Sequence, residues 1–420
     1  MTTQEALNKP FLDNLLRRFL RYVQICSQSS ELNAEHGLMP SSPDEWEMAK
    51  ILCEELTFLG LKNVHTTDDC YTYAFLPASE GLEDKAPFCL LAHIDTVDEV
   101  SGRNVRPQIH RDFAGGKIEF EDGDFLDSAD DEYLALAAKE RDTIITSSGD
   151  TLLGADDKAG VSEIMTAVEF LLQNPQIKHG PIEIIFSPDE ETGHGMDRVP
   201  LDLLKSTYAY TVDGGHIGEL ETECFNAYKS EVTFLGKSVH TGSARGKLIN
   251  AVSMASAFVD SLPRQEMPET TDGYMGFYAP MDIRGTIEKA VVSLILRDFS
   301  LDGIEKRKAT VDLIAQGVEA SFGGKVFIRH SKQYLNMKEQ LDKNPMVVEN
   351  LVSAYKRCGL EPKFVPIRGG TDGSRLTEMG IPCPNIFTGG HNFHSRFEWA
   401  SLSQMSVATS VLIELIKGEN

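Results

Sequence analysis

Cysteine is scarce and scattered in this sequence of 420 residues. The seven cysteines, at positions 26, 53, 70, 89, 224, 358 and 383, are odd in number and form no CxxC pair. This pattern excludes a disulfide framework and a cysteine-based zinc site, and it predicts reduced thiols in a cytoplasmic protein. Long apolar runs are also missing, and the first residues lack a charged-then-apolar signal pattern, so we expect neither a membrane span nor a secretory leader.

Positive charge is in deficit. Lys and Arg total 40 against 64 Asp and Glu, which gives a formal net charge of -24. Such a surface repels nucleic acids and anionic membranes, so neither is expected as a partner. The length predicts two domains, and contents of 41% hydrophobic and 25% charged residues are typical of a globular protein. There is no internal repeat and no low-complexity segment.

The most informative stretch is PIEIIFSPDEETG at 181–193. Its β-branched, apolar start predicts a buried strand, which Pro188 ends. Asp189, Glu190 and Glu191 follow at once. In open α/β sheets, ligands bind beyond the carboxyl ends of the strands, where this acidic turn would lie. An isolated acidic turn is more often a solvated surface feature.

Three other segments strengthen the case for a site. An apolar run at 86–92 predicts a buried strand that leads into His93 and Asp95, which share one face because side chains alternate along a strand. Asp156 and Asp157 stand where a helix is predicted to begin, so one can cap the helix while the other faces a cation. A strand over 206–212 runs into Asp213.

Histidines and carboxylates in this pattern favour a pair of divalent ions. Imidazole and carboxylate suit Zn, Mn or Co, and no thiolate is placed to help. A two-metal hydrolase needs one carboxylate to bridge the ions and another, unligated, to take a proton from the attacking water. The neighbours Glu190 and Glu191 offer a ligand and a base, since adjacent side chains diverge.

The order of predicted elements indicates an α/β protein with an insert. We predict a catalytic domain at 1–222 and 335–420, with a mixed, mostly parallel sheet flanked by helices. Residues 223–334 are predicted to form an inserted α+β lid domain with a four-stranded antiparallel sheet. The polar region 102–142 is predicted to be loops over the main sheet.

Six segments together resemble the M20 metallopeptidase family: LLAHIDTV (90–97), LLGADDKAG (152–160), SPDEETG (187–193), TVDGG (211–215), GKSVHTG (236–242) and HNFHSRFE (391–398). Within it, NVRP (104–107) and RGGTDGSRL (368–376) are similar to the tripeptide aminopeptidases, and the resemblance spans essentially the whole chain. It implies a zinc-exopeptidase fold, two Zn²⁺ per subunit with Mn²⁺ or Co²⁺ as substitutes, and release of the N-terminal residue from tripeptides.

The resemblance also implies a role for each site residue. The implied metal ligands are one pair for each ion, His93 with Asp213 and Glu191 with His394, and Asp156 as the bridge. The implied catalytic residues are Asp95, which orients His93, Glu190 as general base, and His240 of the insert as an oxyanion donor. The implied substrate contacts are Arg368, which would meet the peptide carboxylate, and more weakly Asn250 and Arg297.

Several alternatives stay open at this point. His391 competes with His394 as a ligand. The resemblance favours His394, because the family pattern places a glutamate four residues after the ligand, where this sequence has Glu398. Arg297 is equally well explained as a solvated charge at a strand end. Another amidohydrolase chemistry of the same family, an N-acyl amino acid deacylase or a carboxypeptidase, is the alternative function, and a non-catalytic binding protein is a third. The small peptide substrate is the expected partner, and a homodimer is not excluded.

Overall fold

A computed structural model describes residues 9–418. Its α-helices are α1 (Lys9–Val23), α2 (Glu31–Glu35), α3 (Glu45–Leu59), α4 (Glu132–Lys139), α5 (Ala155–Gln173), α6 (Ala251–Asp260), α7 (Leu301–Phe322), α8 (Lys338–Lys343), α9 (Pro345–Arg357), α10 (Asp372–Glu378) and α11 (Leu402–Lys417). None of these helices is both long enough and apolar enough to cross a membrane.

The strands are β1 (Lys62–Thr66), β2 (Thr72–Leu76), β3 (Phe88–His93), β4 (Gln108–His110), β5 (Lys117–Glu119), β6 (Phe125–Asp127), β7 (Ile144–Thr146), β8 (Ile182–Ser187), β9 (Ala209–Gly214), β10 (Glu219–Cys224), β11 (Asn226–Leu235), β12 (Phe277–Gly285), β13 (Lys289–Asp298), β14 (Lys325–Tyr334), β15 (Lys363–Ile367), β16 (Asn385–Phe387), β17 (Gly390–His391) and β18 (Trp399–Ser401).

The chain divides into two compact units. The first contains the residues up to Thr222, Gln340–Val365 and those from Thr371 onward. The second contains Glu223–Glu339 and Pro366–Gly370. The second unit thus covers the predicted insert 223–334 together with residues 335–339 and the later segment Pro366–Gly370. The role of the insert as a lid domain stays a prediction. Residues 1–8 and 419–420 of the predicted first domain lie outside the described part of the chain.

An eight-stranded mixed sheet organises the first unit, in the order β1-β2-β8-β3-β9-β16-β10-β15. Its centre is parallel: β3 pairs in parallel with β8 and β9, and β16 with β9. β3 and β8 are buried along their whole length, as expected for apolar strands covered by helices on both faces. This arrangement confirms the predicted fold class and puts the carboxyl ends of four neighbouring strands at one edge.

Helix α5 packs against β3 and β9 at very close range. The contact depends on Gly160, because a Cβ built there would lie 1.9 Å from the carbonyl oxygen of Val212. The backbone amide of Gly160 also donates to Oδ1 of Asp157 at 3.1 Å. The glycine therefore fixes both the depth of the helix on the sheet and the start of its regular part.

The region 102–142 differs from the predicted loops. It contains β4, the hairpin β5–β6 and α4, and its apolar side chains form a small core with Trp399. β4 pairs with β7, which pairs with β18, and β18 pairs with β17. The strands are only two or three residues long, so their periodicity is too short to detect in a polar sequence.

The second unit is an antiparallel sheet in the order β12-β13-β11-β14 with helices α6 and α7 packed on it. Alternating residues of the strands face the helices and form a separate core, for example Val232, Phe234, Val292 and Leu294. The predicted four strands are all present. β11 begins at Asn226 and pairs with β13 along its whole length.

The close approach at Gly160 predicts opposite effects for two identical substitutions. Gly160→Ala should destabilise the first unit by about 1–3 kcal/mol, since the added methyl group overlaps a backbone carbonyl. Urea unfolding followed by tryptophan fluorescence reports on this unit, because Trp46 and Trp399 both belong to it.

Gly317→Ala is the matched control. Gly317 lies inside α7, and a Cβ there meets nothing within 4 Å. This change should stabilise the second unit by about 0.5–1 kcal/mol, as alanine has the better helix propensity. An unchanged fluorescence midpoint for Gly160→Ala would contradict the packing account.

Candidate metal centre

The predicted ligands come from neighbouring elements at one edge of the main sheet. His93 ends β3, Glu191 follows β8, and Asp213 lies near the end of β9. Asp156 stands at the start of α5 and His394 follows β17. Parallel strands bring their carboxyl ends to the same edge, which is why segments far apart in sequence meet here.

His93 lies at the centre of the cluster. It is 2% exposed, its Nε2 is 3.0 Å from Oδ1 of Asp156, and the same nitrogen is 3.7 Å from Oδ1 of Asp213. Its other nitrogen, Nδ1, is 3.3 Å from Oδ1 of Asp95. Asp95 thus sits behind the ring, on the side away from the candidate ligands, which is the geometry of a carboxylate that orients a ligating histidine.

Asp156 faces two histidines at once. Its Oδ1 is turned to His93, and its Oδ2 is 3.3 Å from Nε2 of His394. Nε2 of His394 is in turn 3.1 Å from Oε2 of Glu191. One carboxylate therefore spans two groups of donors, with His93 and Asp213 on one side and Glu191 and His394 on the other.

The charges of these groups fit divalent cations. No lysine or arginine in residues 9–418 forms an ion pair with Asp156, Glu191 or Asp213, and histidines are the only side chains near enough to balance them. Ligand atoms of His93, Asp156 and Glu191 lie within 4.8 Å of one another, as do those of His93, Asp157 and Asp213. Imidazole and carboxylate donors at such spacing suit Zn²⁺, Mn²⁺ or Co²⁺.

The pKa values record the same crowding. Burial favours protonation of Asp156, but hydrogen bonds from His394 and His93 outweigh it and hold its pKa below the usual range. Hydrogen bonds to Asp156 and Glu191 raise the pKa of His394 to about 11. Burial, followed by repulsion from Asp156, raises the pKa of Glu191 to about 8. Binding of cations among these groups would therefore release protons.

Both carboxylate oxygens of Asp157 accept hydrogen bonds from backbone amides. Its Oδ1 accepts from the amide of Gly160 at 3.1 Å and its Oδ2 accepts from the amide of His93 at 3.2 Å. It caps the regular part of α5 and ties that helix to β3. The prediction that one of the two aspartates caps and the other faces the cluster agrees with this placement.

The acidic turn after β8 is held in place by hydrogen bonds to buried carboxylates. Asp95 accepts hydrogen bonds from the backbone amides of Glu190 at 3.0 Å and Glu191 at 3.2 Å. Asp189 is buried and accepts from the backbone amide of Ser41. The Glu190 carboxylate, in contrast, accepts no hydrogen bond and forms no ion pair with any described residue, so it remains available to a substrate or a water.

Two further acidic residues support the site, and the sequence did not assign them these roles. Glu398 is 1% exposed and accepts from the backbone amides of Leu153 at 2.8 Å, Gly154 at 2.7 Å and Asp156 at 3.0 Å. Asp372 is buried and accepts from the hydroxyl of Ser187, at the end of β8. Only the spacing of Glu398 from His394 gave a signal; the Asp372 contact joins residues 185 positions apart.

His391 is placed away from the ligand positions. It is 1% exposed and hydrogen-bonds His216 and Gln404, each at 2.9 Å. Both ring nitrogens are therefore engaged within the protein. This geometry favours His394 over His391 as the ligand.

His240 and Asn250 lie in the second unit. Nδ1 of His240 accepts from the amide of Gly242 at 3.2 Å, so its proton is on Nε2, and the side chain is exposed. Asn250 caps α6, with Oδ1 accepting from the amide of Val252 at 2.9 Å. His240 thus presents a donor to solvent, whereas Asn250 has a structural task in addition to the predicted one.

Arg368 is also in the second unit, and its guanidinium is largely engaged there. One terminal nitrogen donates to the carbonyls of Gly273 at 2.8 Å and Met275 at 2.9 Å, and the other donates to Thr271. These contacts leave the Nε–H free among the described residues. The arginine is firmly oriented, but a bidentate pair with a substrate would have to displace part of this network.

Arg297 is 9% exposed and lies within the sheet of the second unit. It donates to the carbonyl of Leu296 at 3.1 Å and to Gln333 at 3.0 Å. The explanation as a solvated charge at a strand end is therefore wrong, because the guanidinium is buried and hydrogen-bonded. A substrate contact for Arg297 stays a prediction.

Comparison with known proteins shows the family to which this chain belongs. The family described as Peptidase family M20/M25/M40 matches residues 153–418. Peptidase T of Clostridium perfringens is 44% identical over 95% of this chain and 97% of its own length. Peptidase T of a Geobacillus species is 43% identical over 96% and 98%. The chain belongs to the M20 peptidase family. The family resemblance seen in the sequence is thereby confirmed.

Solved structures share the fold of this M20 chain. The aminopeptidase PepT from Bacillus cereus superimposes with a TM-score of 0.74 at 21% identity and covers 97% of this chain and 98% of its own. A dinuclear metal-binding M20 peptidase from Bacillus subtilis gives a TM-score of 0.66 at 14% identity, with 98% of each chain covered. The mixed sheet with a separate four-stranded sheet is thus the M20 architecture.

The contacts of Glu398 predict an effect on the metal site. Glu398→Gln keeps the size of the side chain but replaces one of the two accepting oxygens with an NH2 group, which then faces at least one backbone N–H donor. The loop before α5 should shift, so zinc affinity should fall about tenfold or more, in the range seen when outer-shell partners of metal ligands are removed. Competition titration of zinc against a chromophoric chelator measures this affinity.

Glu47→Gln provides the control, since Glu47 is an exposed residue of α3. The control should bind zinc as the parent protein does. Equal zinc affinities for both variants would show that Glu398 does not position Asp156.

Proposed function

We propose that this protein is a di-zinc aminopeptidase that releases the N-terminal residue from tripeptides. The observation that carries the proposal is the Asp156 carboxylate, which faces His93 with one oxygen and His394 with the other. The relatives named Peptidase T, at 41–44% identity over nearly the whole chain, support the substrate class.

The contacts support one assignment of the residues that would hold the ions. His93 and Asp213 would hold one ion, Glu191 and His394 the other, and Asp156 would bridge. When bound, such a pair supplies Lewis acidity toward the peptide carbonyl and lowers the pKa of the attacking water. Zn²⁺ fits the imidazole and carboxylate donors, and Mn²⁺ and Co²⁺ are the substitutes that the same donors accept.

Glu190 is the proposed general base. Its carboxylate has no partner among the described residues, while its backbone is held by Asp95 at 3.0 Å. A fixed backbone with an unpaired side chain suits a group that must take a proton from water and pass it to the leaving amine. Asp95 contributes indirectly, since it lies behind His93 and below the Glu190–Glu191 turn.

The second unit would supply the substrate contacts. The exposed Nε2–H of His240 is the kind of donor that stabilises a developing oxyanion. Arg368 is held in one orientation by backbone carbonyls, and we propose that it reads the C-terminal carboxylate of the peptide and so limits its length. Asn250 and Arg297 are weaker candidates, because each already has partners within the unit.

The cellular setting is proposed on chemical grounds. All seven cysteines are free thiols in the structure, which suits a reducing compartment such as the cytoplasm. The net charge of -24 supports small peptides, and not nucleic acid, as the partner. A homodimer stays a prediction.

Three matched peptides test the function. The protein should cleave an unblocked tripeptide, act poorly on the corresponding dipeptide, and spare the N-acetylated tripeptide. Activity should disappear on chelation and return with Zn²⁺. Preference for the acetylated compound would move the protein to the deacylase branch of the family, and cleavage of none with two metals bound would support a binding protein.

Glu190→Gln tests the base. The amide cannot accept the proton, so kcat should fall by about 10²–10⁴. Metal content should stay at the parental value, because Glu190 is not among the proposed ligands. Metal analysis of the purified variant and of Glu47→Gln, which should keep full activity, completes the comparison. A loss of bound metal in Glu190→Gln would instead make Glu190 a ligand.

A further inference from the structure

A pair of histidines joins the two sides of the candidate centre. His216 lies in the turn between β9 and β10, three residues after Asp213, and His391 ends β17, three residues before His394. The Nδ1 atoms of the two rings are 2.9 Å apart. Asp213 and His394 are the proposed ligands of different ions, so this hydrogen bond links one half of the centre to the other.

The direction of the hydrogen bond is set by Gln404. Nε2 of His391 is 2.9 Å from Oε1 of Gln404, an acceptor, so the proton of His391 is on Nε2. Its Nδ1 then carries a lone pair and must accept from Nδ1–H of His216. Burial, and then the neighbouring His216, lower the pKa of His391 to about 4, which keeps this ring neutral.

Aromatic rings hold the pair from both sides. Tyr133 stacks on His216 with 3.6 Å between centroids, and Trp399 stacks on His391 at 4.0 Å. Asp131 connects these two rings, as it caps the helix that contains Tyr133 and accepts from Nε1 of Trp399 at 3.1 Å. Neither imidazole can rotate without breaking this stack.

The segment after His391 needs such a fixed point. Asn392 and His394 both have left-handed backbone angles, with φ of +56° and +57°, which non-glycine residues adopt at a cost. Residues 392–398 belong to no strand or helix. Arg396, which pairs with Asp122 and Asp124, anchors the far side of the segment, and His391 anchors the near side.

We propose that the His216–His391 hydrogen bond is a positioning device that sets the separation of Asp213 and His394 and thereby the affinity for the second of two metal ions. The proposal rests on the di-metal function above. His216 and His391 are positioning residues, because their described side-chain contacts are with each other, with Gln404 and with the aromatic rings, and not with the proposed ligands.

Two substitutions at His216 separate the hydrogen bond from the packing. His216→Phe keeps an aromatic ring on Tyr133 but removes the donor to His391. His216→Asn places an amide N–H near the position of Nδ1 and should preserve the donor. His65→Phe is the control, since His65 is a half-buried histidine of the edge strand β1 that also packs on a tyrosine, Tyr73, at 5.6 Å.

Calorimetric titration of each metal-free protein with Zn²⁺ is the measurement. The parent and His65→Phe should bind two ions. In His216→Phe the weaker of the two sites should lose about 10–100-fold in affinity, the range for outer-shell partners of ligands, and His216→Asn should recover most of the loss. A second zinc site of parental affinity in His216→Phe would overturn the positioning role.

The parent protein separates this inference from the proposed function. Fewer than two zinc ions on the parent would overturn the di-metal proposal itself, whereas two ions bound with the same affinities by the parent and by His216→Phe would overturn only the role of the histidine pair.

Substitutions at Gln404 replace those at His216 if His216→Phe does not fold. Gln404→Glu keeps an acceptor for Nε2–H of His391 and should bind two ions as the parent does. Gln404→Leu removes this acceptor, so the proton of His391 is no longer fixed on Nε2. The affinity of the second metal site should therefore fall. Equal zinc binding by both Gln404 variants would contradict the proposal.

Discussion

Crowded negative charge at one edge of a parallel sheet is the constraint on which this structure depends. Asp95, Asp156, Glu191 and Asp213 converge around His93, and like charges in a poorly solvated place repel one another strongly. Three means contain this repulsion. Backbone amides donate hydrogen bonds to the carboxylates that hold the loops in place. Two imidazoles lie between the carboxylates that face the centre. A pair of divalent cations would supply the positive charge that is still missing.

The same constraint divides the carboxylates into those that hold the backbone in place and those that face the candidate metal centre. The oxygens of Asp157, Glu398 and Asp95 largely accept hydrogen bonds from backbone N–H groups and so fix the start of α5 and the turn after β8. The oxygens of Asp156 and Glu191 contact imidazoles. The carboxylate of Glu190 accepts no hydrogen bond from the described residues. The fewer hydrogen bonds a carboxylate accepts from the protein, the more available it is to a substrate.

Sequence patterns were sufficient where a segment is long, apolar or regular. The strand before Pro188, the run that ends at His93 and the helix after Asp157 all appear in the structure, because burial on both faces leaves a continuous apolar signal. The ligand cluster followed from strand ends and from the family resemblance. The prediction of loops over 102–142 was wrong because the strands there are too short to show a period.

Contacts made across long sequence separations could not be read from the sequence. The burial of Arg297 depends on Gln333 in a neighbouring strand, and the fixation of Arg368 depends on carbonyls some 95 residues earlier. The pairing of His391 with His216 spans 175 positions. Such contacts carry no local pattern of spacing or polarity, so neither residue type nor the family resemblance revealed them.

The position of β16 in the main sheet has a consequence for the synthesis of this protein. β16 lies between β9 and β10, pairing with Val212 on one side and with Leu220 on the other, although the chain reaches Ile386 only after the whole second unit has been made. A nascent chain that ends before this strand has a gap in the middle of its sheet, and His394 comes later still. The candidate centre, which includes His394, can therefore be completed only when the last elements of the chain have been synthesised.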